Sequence, residues 1–321
     1  DAFWADAPAA DGVGIRTRYA AMWAMLAERF GTHPAVIGYD VLNEPTPGTG
    51  APQLFGAILA QFAELTGQDL EAVAADFEDP AAKLAQLSHL EDAALHRRLG
   101  DRLAPLLAEI EQGPIHTFYS EIVAALRAVD PTGLILREHD YFGNIGIPAP
   151  VPPLEDAAWA YSPHGYDLVV DTEAMPLASD TRITTIFSRA AETAERLGAP
   201  VVVGEWGAFG RHEGIAGHAA VQLEMFDEWA WSWFYWCWEP GFAASEAAQV
   251  LRRPRPRAVA GRALRCGTGW TGRDAEAPSE FWIPPEREVE HLVDGRRQRL
   301  RREGGTVLLE PGPGEHRVRV S

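Results

Sequence analysis

The chain has 321 residues, of which 28 are Lys or Arg and 46 are Asp or Glu, giving a net charge of −18. A 46% apolar share with 23% charged residues excludes global disorder and allows a sizeable core. The acidic balance argues against a nucleic-acid partner, because phosphate binding needs clustered cations. The length admits two domains, or one large domain with an appendage.

Taken in chain order, a helix is expected over Ala20–Phe30, followed by a strand over Val36–Leu42. Residues 46–113 then form a long insert, rich in Ala, Leu and Glu, with helices predicted near Gln53–Thr66, Leu70–Phe77 and, with interruptions, Ala81–Ile110. Strand-to-helix connections usually take about 2–6 residues, so the insert decorates one rim, as a lid, a pocket wall or a solvated ornament. A helix over Ile115–Val129 stops at Asp130-Pro131-Thr132-Gly133, ahead of a strand at Leu134–Glu138. Further buried strands are expected at Trp159–Ser162, Val201–Gly204 and Phe234–Trp238, with a helix over Ser179–Leu197 that ends at Gly198. Strands alternating with helices imply a parallel sheet with crossover connections.

Arg252–Arg257 reads as a solvated linker. Beyond it, short strands are expected at Glu280–Ile283, Glu288–Leu292, Arg299–Arg302, Thr306–Leu309 and His316–Val320, punctuated by Gly and Pro. This is the pattern of a small antiparallel β domain over 251–321, following a larger domain over 1–250. Cys237 and Cys266 have no metal-ligand spacing and read as two buried thiols, with a single bridge as the alternative. No apolar run is long enough to span a bilayer, and no signal peptide is visible.

The chemistry gathers at strand ends. The first strand runs into Asn43-Glu44-Pro45, the third into His164-Gly165-Tyr166, the fourth into Glu205-Trp206, and the fifth carries Trp236 and Trp238. In parallel α/β folds this rim is where reactions occur. Taken singly, an Asn-Glu-Pro is more often a capped strand end, and a tryptophan is more often core. Their coincidence on one rim points to a site. Two carboxyls facing across a sugar-sized gap are the equipment for glycosidic cleavage, one protonated and one ionised. Asn43 suits a donor to a sugar 2-hydroxyl, His164 and Tyr166 suit donors that orient a carboxylate, and Trp236 and Trp238, on one face of their strand, suit the apolar face of a pyranose.

These motifs, Gly38–Pro45, Ser162–Asp167, Val203–Gly207 and the tryptophan-rich last strand, resemble family 5 glycoside hydrolases, retaining enzymes of the cellulase-like clan. Arg253–Gly261 and the β-rich tail resemble the endoglycoceramidase-like and glucosylceramidase-like members. The resemblance implies an α/β fold of the (β/α)8 TIM-barrel type, with strands four to eight present and the first three βα units lacking, and a small C-terminal antiparallel β-sandwich. It makes Glu44 the acid/base, its pKa raised, and Glu205 the nucleophile, its pKa low. It has Trp236 floor the sugar pocket. It implies no metal or organic cofactor, secretion, and a carbohydrate or glycolipid substrate with peripheral contact to lipid. Leu54, Phe55, Ile58 and Phe62 are expected to offer apolar surface for that contact. A soluble β-glucoside or oligosaccharide is the alternative substrate, and a non-catalytic carbohydrate-binding barrel the alternative class.

Overall fold

The computed structural model describes residues 1–259, and beyond them 262–265, 269–273, 279–284, 291–297, 301–303, 306–309 and 316–320. Two compact units divide the chain: 1–170 with 179–206, and 171–178 with 207–321.

The first unit opens with helix α1 (Ile15–Phe30) and strand β1 (Gly38–Asp40). The insert follows as α2 (Ala51–Thr66), α3 (Leu70–Glu78), α4 (Pro80–Leu87) and α5 (Ala93–Ile110), close to the predicted helices. Asp69, Asp79 and Asp92 cap α3, α4 and α5, each accepting a backbone N–H of the first turn. The insert does not end in a loop at Gly113. A π-helical turn, Glu111–Ile115, carries α5 directly into α6 (His116–Arg127). Pro114 lies inside that turn and has no N–H to donate, a defect that a wider turn accommodates.

The helix stop after α6 is built as expected. Asp130 Oδ1 accepts the amides of Thr132 and Gly133, and Oδ2 accepts the Tyr39 hydroxyl at 2.6 Å, tying the turn to β1. Strands β2 (Leu134–Arg137) and β3 (Trp159–Tyr161) then pair in parallel in the order β1-β2-β3. A second parallel pair joins β4 (His164–Gly165) to β5 (Val202–Gly207), and Tyr161 bridges to Val201. Between them runs α7 (Asp180–Leu197), capped by the Ser179 side chain and closed by Gly198 in the left-handed region. The core of this unit packs Val41, Phe118, Tyr119, Ile122, Leu126 and Ile135 without exposure.

One expectation for the insert fails. Leu54, Ile58 and Phe62 are buried, at 8%, 8% and 1% exposure, and only Phe55 is open. The spacing explains it. Residues 54, 58 and 62 fall four apart on one face of α2, and that face is the one turned to the protein.

The second unit holds β6 (Ser232–Trp236), preceded by α8 (Ala216–Glu228) and followed by α9 (Glu246–Leu251). β6 is not a buried strand. Ser232, Phe234 and Trp236 form an exposed face, and Trp233 and Tyr235 a half-buried one. The remaining strands are β7 (Arg255–Ala258), β8 (Arg262–Arg265), β9 (Gly269–Arg273), β10 (Ser279–Trp282), β11 (His291–Val293), β12 (Arg296–Arg297), β13 (Arg301–Glu303), β14 (Thr306–Leu309) and β15 (His316–Val320). They form two antiparallel sheets, ordered β13-β14-β10-β7 and β12-β11-β15-β9-β8.

The arginine run is therefore not a solvated linker. Residues 255–258 pair with β10, Arg253 makes two hydrogen bonds of 2.7 Å to Asp227, and the Arg255 guanidinium lies 4.7 Å over the Trp282 ring. Of the predicted tail strands, residues 288–290 and 299–300 lie outside the described residues. So does Cys266, whereas Cys237 is a free, half-buried thiol. Among the described residues no helix is long and apolar enough to cross a membrane.

Candidate active site

Glu44 follows β1 through Val41, which is fully buried. The close pairing of β1 with β2 requires glycine at position 38, since a Cβ there would lie 2.2 Å from the Leu134 carbonyl oxygen. Glu44 itself has φ +46°, a left-handed conformation that costs a non-glycine residue energy unless its surroundings fix it. Two of its groups are fixed. Its amide donates to Glu138 Oε2 at 2.7 Å, and its Oε1 accepts from Asn144 Nδ2 at 3.0 Å. Glu138 is in turn held by the Tyr119 hydroxyl of α6, 3.0 Å from its backbone N–H.

Register brings His164 and Glu205 together, because they are direct partners across β4 and β5. His164 lies so close over β5 that a Cβ at Gly204 would sit 2.7 Å from its Nε2. The ring is a hub for three carboxylates. Nδ1 is 3.0 Å from Glu44 Oε1 and 3.5 Å from Glu205 Oε2, and Nε2 is 3.4 Å from Glu138 Oε1. One carboxylate oxygen each of Glu44 and Glu205 and a ring nitrogen of His164 lie within 4.8 Å of one another. The same holds for Asp40, Glu138 and His164.

The electrostatics follow from this crowding. Burial by itself would depress His164, but contact with Glu138 and Glu44 outweighs it and pushes the imidazole up to about 10. It is therefore a cation at neutral pH. Its neighbour His139, buried and hydrogen-bonded to Asn144 and Tyr161, is driven down to about 4, mainly by burial, and stays neutral. Glu205 departs from expectation, for its pKa is raised and not lowered. Burial dominates, and the charges of Glu44 and Glu138 add to it, against the opposing Tyr166 hydrogen bond and His164 cation. The acidic groups around His164 are thus paired with a proton-bearing cation, and the set forms an ion-pair network.

Tyr166 donates to Glu205 Oε2 at 2.6 Å. The next residue anchors it: Asp167 makes a buried two-pronged pair with Arg182 of α7, at 2.7 and 2.9 Å. Asn43 is exposed and makes no hydrogen bond among the described residues, so its amide is open to solvent. The first unit thus brings Glu44, His164, Tyr166 and Glu205 together. Trp236 and Trp238 belong to the second unit, with exposures of 49% and 77%. They do not share a strand face, because β6 ends at Trp236 and the chain then turns through Pro240 and Gly241. Trp238 leans on Phe242, ring centres 5.5 Å apart.

Sequence reasoning passed over Asp40, Glu138, His139 and Asn144. The signal for Glu138 was present, since it closes the apolar run expected as a strand at Leu134–Glu138, as Glu44 and Glu205 stand just past theirs. Asn144 lies in a short helical turn and carries no local signal.

The chain matches the family Cellulase (glycosyl hydrolase family 5) over residues 2–241. Its structure is similar to endo-glycoceramidase II from Rhodococcus sp., with TM-score 0.69 at 20% identity, covering 100% of this chain and 67% of that one. A complex of that protein with ganglioside GM3 matches at TM-score 0.69 and 19% identity, covering 100% and 66%. An endogalactoceramidase matches at TM-score 0.64 and 23% identity, covering 100% and 64%. The chain thus spans about two thirds of the length of these proteins. No curated protein sequence matches it. Residues 2–241 are three quarters of the chain, and they carry both glutamates, the histidine and the tyrosine of the site. The chain belongs to glycosyl hydrolase family 5, a family of glycosidases with the (β/α)8-barrel fold.

Proposed function

We propose that this chain carries the catalytic centre of a retaining β-glycoside hydrolase, with Glu205 as nucleophile and Glu44 as acid/base. The observation that carries the reading is the approach of the two carboxylates, with oxygens within 4.8 Å. Retaining enzymes hold their carboxyls about 5 Å apart, and inverting enzymes leave about 6.5–9.5 Å for a water. In the first step a Glu205 oxygen bonds to the anomeric carbon, the glycosidic bond breaks, and the Glu44 proton passes to the departing oxygen. In the second, water gives its proton to Glu44 and displaces Glu205 from the same carbon, restoring the original configuration. Tyr166 and the His164 cation favour the Glu205 anion that the first step needs. The open amide of Asn43 suits the sugar 2-hydroxyl, and the exposed Trp236 is proposed as an apolar surface for a sugar ring.

A glycosylceramide-type substrate is the favoured class. Its support is the likeness to the endo-glycoceramidase and endogalactoceramidase structures. The insert adds an open groove of about 440 Å³ lined by Pro47, Leu54, Ala57, Leu106, Ile110 and Pro114, just past Glu44 in the chain. Exposed Phe55 and Leu106 would meet a lipid surface. In this reading residues 1–250 supply strands four to eight of the barrel with its insert, 251–321 form a β-sandwich, and the protein is exported.

The test is hydrolysis by the full-length protein. Glu205→Ala should abolish release of sugar, with azide restoring turnover as a glycosyl azide. If both fail, Glu205 is not the nucleophile, and sugar binding by calorimetry without any hydrolysis would favour a carbohydrate-binding barrel. Faster cleavage of cellooligosaccharides than of a glycosylceramide would replace the lipid substrate by a soluble one.

A further inference from the structure

A buried polar chain behind Glu44 is left unused by this mechanism. Asn144 is 8% exposed, His139 3% and Tyr161 fully buried. Asn144 Nδ2 is 3.0 Å from Glu44 Oε1, Asn144 Oδ1 is 2.7 Å from His139 Nε2, and His139 Nδ1 is 2.5 Å from the Tyr161 hydroxyl. The same Glu44 Oε1 faces His164 Nδ1 at 3.0 Å. Among the described residues no hydrogen bond reaches Glu44 Oε2.

The polarity of the chain follows step by step. His164 stands among Glu44, Glu138, Glu205 and Asp40, with neutral His139 within range of its charge and Arg137 in turn acting on His139, and its imidazolium can only donate. Oε1 must therefore accept, and a proton there would collide with the His164 N–H. The second group at Oε1 must also donate, so Asn144 presents its NH2. Its Oδ1 then faces His139, which donates from Nε2 and so keeps a lone pair on Nδ1 for the Tyr161 hydroxyl. Each link leaves the next one choice.

We propose that Asn144, aligned by His139 and Tyr161, is a positioning residue that, with His164, keeps Glu44 Oε1 a permanent acceptor and confines the transferable proton to Oε2. The proposal rests on Glu44 being the acid/base. It adds which oxygen does the work and what stops the carboxyl from turning. In the glycosylation step the O–H bond at Oε2 breaks and its proton goes to the leaving oxygen. In deglycosylation the proton of water returns to Oε2. A carboxyl free to swing would present the wrong oxygen, and misplacement of about 1 Å costs on the order of 10²-fold in rate.

The experiment compares kcat/KM of the full-length protein on two β-cellobiosides, one with a 2,4-dinitrophenyl and one with a methyl aglycone. Dinitrophenolate departs without a proton, whereas an alkoxide needs one. In Asn144→Ala the ratio between the two should widen by at least about tenfold, since acid help fails where it is needed. Asn144→Asp, which keeps the shape and the His139 contact but lacks the NH2, should widen it as well. A merely structural role would lower both substrates together, and an unchanged ratio in both variants overturns the proposal. Glu44→Ala separates the two failures. A wide ratio there beside an unchanged one in the Asn144 variants sinks only the positioning role, and an unchanged ratio in Glu44→Ala sinks the acid assignment and this inference with it.

Discussion

Removing the His164 cation from among the carboxylates should expose how strongly the site depends on it. In His164→Gln the ring is replaced by a neutral amide of similar reach. The imidazole rises from 6.5 to about 10 in the folded protein, which at 1.36 kcal/mol per pH step corresponds to about 5 kcal/mol of favourable interaction with its proton on. The side chain is only 1% exposed, so solvent screening takes little from that figure. A pKa raised on folding gives stability that is complete below the unfolded value of about 6.5. It is lost as the pH climbs through about 10. The stability difference between wild type and His164→Gln should therefore shift against wild type by about 5 kcal/mol between pH 6 and pH 10, most of it above pH 7. Urea unfolding of both proteins at pH 6, 8 and 10 measures it. A gap that stays constant with pH would show that His164 is neutral in the folded protein, and the account of the site as an ion-pair hub would fall.

Tyr166→Phe removes the hydroxyl that donates to Glu205 at 2.6 Å. A hydrogen bond to a charged group contributes about 1.5–3 kcal/mol, so kcat/KM should drop about 10- to 100-fold. The acidic limb of its pH profile should also move to higher pH, because burial then raises Glu205 with less opposition; an unmoved limb would contradict this. Arg182→Ala strips the partner from Asp167, which is fully buried. Breaking such a pair costs about 3–5 kcal/mol, readable as a fall in unfolding free energy, and a loss under 1 kcal/mol would refute the claim that it anchors the loop bearing Tyr166. Gly204→Ala should reduce kcat/KM at least about tenfold by displacing His164, whose Nε2 would lie 2.7 Å from the new Cβ. Full activity in that variant would mean that the ring can move without consequence.

Local patterns in the chain were enough to locate the ends of most elements in the first unit. Ser179 and Gly198 bound α7, the Asp130 turn closes the helix before β2, and aspartates open the insert helices, because caps and turns depend on residues a few positions apart. Glu44, His164, Tyr166 and Glu205 stood out for a similar reason, as polar groups directly after apolar strands. The insert and β6 were read less well. The period of a hydrophobic face says that some face is buried, but not whether Phe55 or Leu54 lies on it, nor that the face of β6 bearing Trp236 is open.

What only the tertiary structure decided is the sum of neighbours at each group. Glu138 and Asn144 reach Glu44 from 94 and 100 positions away, and Glu205 meets His164 only through strand register. Protonation is set by charges and burial contributed from all of these segments at once. The same residue type consequently emerges as a cation at position 164 and as a neutral ring at position 139, and a carboxyl expected to be strongly acidic has its pKa raised at position 205.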